Sequence, residues 1–585
     1  MDKNTISGFG LLMLLLVGYI LYNQNAETKY QAQVTKDSIE NAKKRQPLAA
    51  KMIDTTSIAM NGIVDSALLV AKEELTTIEN NDVIVTLTNK GAFAKKIQLK
   101  KFKTYDGKPL FLFDGDKNSI DYGFKSINGN IVHTKAETFT TTVSTDKKSI
   151  AFANANMNIS YTLEDDGYMM AIKAVPVSAD KAASISMDWS AQSLLTEHDL
   201  TTQQQFTQLC SNTEKDGVEI TDIKDKETKD IQVPIKWLGF KQHYFNTTLI
   251  PDAKIISLAK ITTESKADTA AKTLSTMTAN MTVQNVSSLD FRMFVGPNDY
   301  RLLKTYNKDL EEMIPLSYGI FGFVKYINKW IILPIFYGLS KFFSSFGIVI
   351  LLLTFILRLL MSPFTYKSYV SSAKMKALKP ELDELKEKHG DDKQAYGVDQ
   401  MKLYREAGVN PLGGCLPALL QLPVFFALLS FFPQSIELRQ SKFLWAKDLS
   451  TYDSIYDLPF SIPFYGDHIS LFTILFVITS LILALYSMNT NMGADQSNPM
   501  MKYLPFIMPI MFLGIFNKLS ASLTFYYFVS NVITLALQFV IQQWIIDPEK
   551  IHAQIKAKRS APPKENKLMK KMMEMQQQQQ QMKKK

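Results

Sequence analysis

A chain of 585 residues with 46% apolar content and a mean hydropathy of −0.04 is too long for one domain and too polar to lie wholly within a membrane. Its formal charge of +9 spans two unlike halves: to about residue 315 the sequence is polar with strand-like alternation, and from about 345 it holds nearly all the long apolar runs. Its two cysteines, Cys210 in the polar half and Cys415 beside an apolar run, fall where a membrane would separate them, which disfavours a structural disulfide.

The first apolar run, residues 8–22, follows a short segment carrying Asp2 and Lys3 and precedes NQNAETK, which offers no good small-x-small cleavage site. It reads as an uncleaved anchor within residues 1–25. A cleaved signal peptide is the alternative, because the run lies at the lower edge of the ~17 to 25 residues a spanning helix needs. Residues 26–77, rich in Lys, Gln, Ala and Thr, look like a flexible tether.

Residues 78–315 change character. Val83, Val85 and Leu87 alternate on one face before an Asn89-Lys90-Gly91 turn, and the same period returns at Met157, Ile159, Tyr161 and Leu163. DDGY at 165–168 then reads as a hairpin turn. Several short strands without strand–helix alternation predict a large β-sandwich, with short helices only near 299–313. Its histidines, His133, His198 and His243, have no metal-ligand spacing, and no nucleotide-binding glycine loop or nucleophile elbow is present. A sugar site built from carboxylates distant in sequence stays open, but a scaffold or docking role fits better.

The stretch 316–343 has too short an uncharged run to span, contains Pro334, and carries Lys325, Lys329, Trp330 and Lys341, types that favour the headgroup zone. It predicts an amphipathic helix on the outer membrane face; a true span would invert everything downstream.

Residues 346–364, FGIVILLLTFILRLLMSPF, set Arg358 inside an apolar run. A guanidinium at mid-bilayer costs roughly 3 kcal/mol on insertion scales and 10 or more in simulations, so it is either functional or snorkels to the headgroups near Pro363. The polar stretch 366–411 predicts a helical hairpin. Leu378, Leu382 and Leu385 share a face, Gly390 with Asp391 and Asp392 supplies a stop and a new cap, and Val398, Met401 and Tyr404 line a second helix ending at Gly408.

Further spans at about 412–432, 469–486, 503–516 and 523–546 complete a five-span core over 344–546. YLPFIMPIMFLGIF is short and holds Pro505 and Pro509, so it kinks or thins the bilayer. The last span places Asn531, Thr534 and Gln538 on roughly one face, as Thr354 sits one turn before Arg358. Hydrogen-bonded helix packing and a water-filled groove both account for them. The 365–414 connection holds nine Lys or Arg and the 433–468 connection three, which puts the former and both termini in the cytoplasm. The tail, 547–585, has eleven Lys or Arg against four acids; it suits anionic lipid or ribosomal RNA, or merely fixes topology.

Four stretches in this order, FGIVILLLTFILRLLMSPFTYKSYVSSAKMKALKPEL, VNPLGGCLPALLQLPVFFALL, SIELRQSKF and LTFYYFVSNVITLALQ, resemble the YidC/Oxa insertase family. WLGFKQHYF at 237–245 and FRMFVGP at 291–297 resemble the periplasmic-domain signatures of its Gram-negative members. The resemblance implies a multi-domain protein of the bacterial inner membrane: an α-helical polytopic insertase core with an N-terminal anchor, and a periplasmic all-β supersandwich related in fold to sugar-mutarotase-like proteins. It implies a hydrophilic groove open to cytoplasm and lipid, with Arg358 as its arginine, Thr354 as its threonine, and Tyr526 and Tyr527 as the paired tyrosines of the last span. Gln421, Asn531 and Gln538 complete the expected groove set. The implied role is insertion and chaperoning of nascent membrane proteins rather than enzymatic catalysis, alone or with a Sec-type translocon. Lipid is the working medium, the ribosome or a targeting receptor would meet the hairpin and basic tail, and no cofactor, metal or DNA is called for. A membrane-anchored carbohydrate-binding protein or a channel is the alternative, though asymmetric spans without an internal repeat argue against the usual transporter plan.

Overall fold

The computed structural model describes residues 72–559, apart from 179–183, 253–255, 269–271, 284–287, 391, 410–415 and 491–498. The expected anchor, nearly all of the tether, Cys415 and the tail beyond 559 lie outside the described residues. The described chain forms two compact units, a β-rich one up to Ile314 that also takes in Gln434–Ile436, and a helical one comprising Pro315–Pro433 and the chain from Glu437.

The β-rich unit consists of antiparallel sheets. The first is a four-stranded meander, Leu75–Glu79, Val83–Thr88, Ala94–Lys103 and Pro109–Asp114. A nine-stranded sheet runs Gly217–Asp222, Gln208–Thr213, Ile235–Lys241, Phe245–Pro251, Leu289–Pro297, Met169–Pro176, Met157–Leu163, Ser149–Ala153, Thr140–Val143. A six-stranded sheet runs Glu227–Ile231, Ile256–Asp268, Thr273–Val283, Ile185–Leu194, Ser119–Lys125, Ile131–His133. The alternation read in the sequence is the alternation of burial: Val83, Val85, Leu87, Met157, Ile159 and Tyr161 are all buried in one core shared by the three sheets. The DDGY turn joins Met157–Leu163 to Met169–Pro176, and Gly167, at φ +107°, donates its N–H to Asp82 Oδ2 at 2.9 Å. Burial alone would raise the Asp82 carboxyl. Hydrogen bonding from Lys101, 2.5 Å away, and from Gly167 holds it below the ordinary carboxylate value instead.

Short helices at Tyr300–Thr305 and Leu310–Met313 fall in the expected window, the first capped by Asp299, which accepts from Arg301 and Leu302 N–H. A further one, Leu200–Gln205, is capped by Asp199 and escaped the sequence reading. His243 stacks between Phe206 and Tyr244, His133 meets Asp121 at 3.0 Å, and no metal-holding cluster occurs among the described residues.

In the helical unit, residues 324–340 form one helical stretch, Val324–Ile327, a π turn at Asn328–Ile332, and Leu333–Ser340, with Tyr326 and Trp330 exposed. The π turn aims buried Asn328 at two carbonyls, Leu316 O at 2.8 Å and Ala427 O at 2.9 Å. The Arg358 helix is longer than the sequence suggests. It runs over Phe346–Ala377, 32 residues or about 48 Å, and Pro363 lies inside it rather than near its end. The reason is local: Pro363 cannot donate to Leu359 O, and the Ser362 hydroxyl does so at 2.8 Å. The first arm of the expected hairpin is therefore continuous with this helix as far as Ala377, and the hairpin proper comprises Lys379–His389 and Lys393–Glu406, the latter capped by Asp392.

Leu416–Phe431, Leu471–Thr490, Pro499–Asn517 and Ala521–Val540 follow, and Pro548–Arg559 forms a tail helix. By length and composition, Phe346–Ala377 and Ala521–Ile545 can cross a membrane; Leu419–Gln434, Leu471–Ser487 and Pro505–Asn517 are shorter apolar helices. The hairpin's apolar stripe does more than join its arms. Leu378, Leu382, Leu403 and Tyr404 bury against Ile551 and Ile555 of the tail helix, and Arg559 pairs with Glu381 at 2.7 Å. The 433–468 connection, treated in the sequence only for its charge, contains a β-hairpin, Tyr456–Ile462 with Gly466–Ile469.

Candidate functional site

Arg358 stands twelve residues into its helix, about 18 Å along the axis, so its side chain begins well away from either polar end. It does not climb toward them. Its Nε donates to Ser530 Oγ at 2.6 Å, and a terminal nitrogen donates to the same oxygen, across to the helix Ala521–Val540. The pose is sideways, into a neighbouring helix. A guanidinium carries five N–H donors, two of them aim at Ser530, and the remaining three meet no acceptor among the described residues. No carboxylate among those residues pairs with it. The hydroxyls of Tyr526, Tyr527 and Tyr369 are near enough to interact with its charge.

Tyr526 and Tyr527 open the last long helix and are buried, perpendicular to one another with centroids 5.0 Å apart. Phe425, Phe476 and Phe516 surround Tyr527 at 5.6–6.0 Å, and Phe432 lies 6.3 Å from Tyr526, so four helical segments converge on the pair. The Tyr527 hydroxyl has no hydrogen-bond partner among the described residues, whereas the Tyr526 hydroxyl lies within reach of Gln421 and Ser530 without a well-formed bond to either. A buried polar atom without a well-made partner is costly. Gln421, Tyr526, Ser530 and Arg358 thus form a short polar ladder.

The other expected groove residues are placed differently. Thr354 is fully buried and its hydroxyl donates to Ile350 O at 2.6 Å, one turn back on its own helix, so its hydrogen is committed to the backbone. Asn531 turns away from Arg358 and donates to Ser480 Oγ at 2.8 Å and Thr479 Oγ1 at 3.3 Å, which makes it a strut to the helix Leu471–Thr490. Thr534 donates to Ser530 O at 2.7 Å, and Gln538 is buried two turns beyond Ser530. Helix packing thus accounts for Asn531, and Thr534 is committed to the backbone of its own helix. Ser530, the direct partner of the arginine, was not singled out in the sequence; extending the polar face of the last helix back one turn, to i+4 from Tyr526, leads to it.

Beyond the tyrosines the bundle is tied by a buried polar knot. Asp453 accepts from Trp445 Nε1 at 2.9 Å, Ser470 Oγ at 2.5 Å and the N–H groups of Leu471 and Phe472, capping the helix that begins there. Asn517 accepts from Ser470 N and donates to Tyr465 O and His468 O, while His468 Nε2 meets Asn517 O at 2.7 Å. This end is fastened by many hydrogen bonds. The Arg358–Ser530 level has one acceptor for two donors.

A family model described as the 60Kd inner membrane protein matches residues 338–549, and one described as the YidC periplasmic domain matches residues 75–336. The chain is 36% identical over 578 residues to a membrane protein insertase YidC of Amoebophilus asiaticus, covering 95% of this chain and 94% of that one. It is 32% identical over 618 residues to a membrane protein insertase YidC of Parabacteroides distasonis, covering 97% and 96%. A solved structure of an active YidC insertase with its first transmembrane domain resolved aligns over 82% of this chain and 95% of its own, at 20% identity and a TM-score of 0.32.

Proposed function

Because the chain belongs to the YidC membrane protein insertase family, we propose that it inserts new membrane proteins by lodging their polar segments at the Arg358–Ser530 level. The observation that carries this reading is a guanidinium pinned sideways by one neutral hydroxyl with donors to spare. A carboxylate or peptide carbonyl of a translocating tail satisfies those donors and gains a charge-assisted bond, which lowers the desolvation barrier to crossing hydrocarbon. The Tyr527 hydroxyl, which has no partner among the described residues, and the loosely held Tyr526 hydroxyl and Gln421 amide offer the next contacts. The contact is temporary, because the substrate's apolar segment leaves for lipid, driven by about 25 cal/mol per Å² buried.

Thr354 in this account keeps its helix close-packed rather than touching substrate, and Asn531 ties its helix to Leu471–Thr490. The full architecture we read is an anchor followed by five spans, both termini cytoplasmic, with the β-rich unit as a periplasmic supersandwich. The short apolar helix Pro505–Asn517 thins the bilayer beside the site. A Sec-type translocon works beside it for some substrates, and the hairpin and basic tail face the ribosome or a targeting receptor; the lysine and arginine asymmetry of the loops supports that orientation.

The test is insertion of a single-span protein with an acidic translocated tail into vesicles holding the purified chain, with and without Arg358→Ala, beside a substrate with an apolar tail. Selective loss on the acidic tail supports the reading. Equal loss on both would show a folding defect, and no loss would remove Arg358 from the working path.

A further inference from the structure

The β-hairpin Tyr456–Ile462/Gly466–Ile469 carries an apolar surface that insertion through Arg358 does not use. Tyr456, Phe460, Ile462 and Phe464 are 39–63% exposed, and residues 455–469 contain no lysine or arginine. The hairpin does not stand off from the bundle. Its tip folds onto the helix Pro499–Asn517 at Gly514, where an added Cβ would run into the Phe464 carbonyl. Phe464 is held there at φ +68°, in the left-handed region that bulky residues avoid, with Gly466 at φ +116° completing the turn.

Gly514 lies three residues inside the end of its helix at Asn517, about 4.5 Å along the axis. The same helix exposes Ile507 and Ile510 further along, each more than half open, so the hairpin tip continues an apolar surface rather than starting a separate one. The backbone is adapted to a poorly hydrated setting. Pro459 carries no N–H, which removes one donor from the row of unpaired donors an open strand edge presents. The same proline makes it a poor template for strand addition by a protein partner. A two-stranded edge still cannot enter the hydrocarbon core, where its remaining donors would find no acceptor. Its place is the boundary between headgroups and acyl chains, the depth of roughly 5–10 Å at which amphipathic elements settle.

We infer that this hairpin is a lipid-seated wedge, its Phe460, Ile462 and Phe464 side chains immersed in the leaflet at the Phe346 end of the Arg358 helix. The inference rests on the reading of the helical unit as membrane-spanning. Lipid headgroups displaced there adjoin the proline-containing helix, so the wedge disturbs the bilayer on one side of a segment whose apolar part, Pro505–Asn517, is short.

Spin labels at Phe460→Cys, Phe464→Cys, Asp457→Cys and Ile510→Cys, each in a Cys415→Ser chain reconstituted into phosphatidylethanolamine/phosphatidylglycerol vesicles, test this. Cys210 is fully buried with its thiol pushed up to about 12 and stays unlabelled. Power saturation is read with oxygen, which concentrates in lipid, against a water-soluble nickel chelate. The expected result is severalfold greater accessibility to oxygen than to nickel at 460, 464 and 510, the reverse at 457, and a shift of the 464 label toward nickel in Gly514→Ala. Nickel-accessible labels at 460 and 464 with an oxygen-accessible 510 would overturn the wedge while leaving the spanning bundle intact. Labels at 460 and 464 shielded from both reagents would overturn it in favour of a protein contact, and a nickel-accessible 510 would overturn the spanning reading and the wedge together.

Discussion

Ser530→Ala asks whether Arg358 works because it is held. The two donors on Ser530 Oγ leave the guanidinium with no second anchor among the described residues. A hydrogen bond from a charged donor contributes about 1.5–3 kcal/mol, and its loss at the lower figure reduces the sideways pose roughly tenfold against poses that climb toward Tyr366. The hydroxyl is neutral, so it positions the arginine without competing for a substrate carboxylate. Removing it therefore lowers activity. The expected result in vesicles, read as protease-protected tail per unit time, is a fall of roughly three- to tenfold for an acidic-tailed substrate, with an apolar-tailed one unchanged. Ser530→Thr retains the hydroxyl and keeps most of the activity. Undiminished insertion by Ser530→Ala, in a preparation where Arg358→Ala fails, would refute the argument that the pose matters. Equal loss on both substrates would turn the effect into one of packing.

Arg358→Lys retains the charge but not the planar fork, so acidic-tail insertion should fall between wild type and Arg358→Ala; a lysine variant no better than alanine would mean that geometry rather than charge is operative. Leu382→Ala removes a buried anchor of the helical hairpin, a change that typically costs 2–5 kcal/mol, and should speed limited proteolysis near Gly390. Unchanged cleavage would show that the tail helix alone holds the hairpin. In the β-rich unit, burial pulls the Lys241 ammonium down to about 8, with Gln208 Oε1 at 2.9 Å accepting from it. The unfolded chain keeps that proton to about 10.4, so between these values it binds more protons than the folded one and stability rises with pH, by up to roughly 3 kcal/mol. Thermal unfolding of the solubilised protein from pH 7 to 10 should show this rise, and Lys241→Met should flatten it.

Much of this architecture was legible because single-residue periodicity reports burial. Strands at Val83–Thr88 and Met157–Leu163 emerged with the right inward faces, since their alternation is the alternation of core and water. The helical hairpin was legible from its leucines and the Gly390 stop. Helix ends were less so: Pro363 is an expected stop, yet the helix runs through it, with the Ser362 hydroxyl taking up the carbonyl that Pro363 leaves. At the site, residue type alone could not tell a strut from a contact. Asn531 and Ser530 are neighbours in sequence, yet one bonds sideways to Ser480 and the other receives the arginine, a difference set by which helix each side chain faces. The Asp453–Asn517 knot was invisible for the same reason, because its members lie far apart along the chain.

The tail helix has a further meaning when the chain is considered as something made from one end to the other. Leu378 and Leu382 emerge early in the helical unit, whereas Ile551 and Ile555, which cover them, emerge near the end of the sequence. Until then the base of the hairpin presents bare leucine to its surroundings, and contacts of such long sequence separation are slow to form. Completion of this insertase is thus timed by its own synthesis, its helical hairpin locking into place only once the tail helix has followed the rest of the bundle.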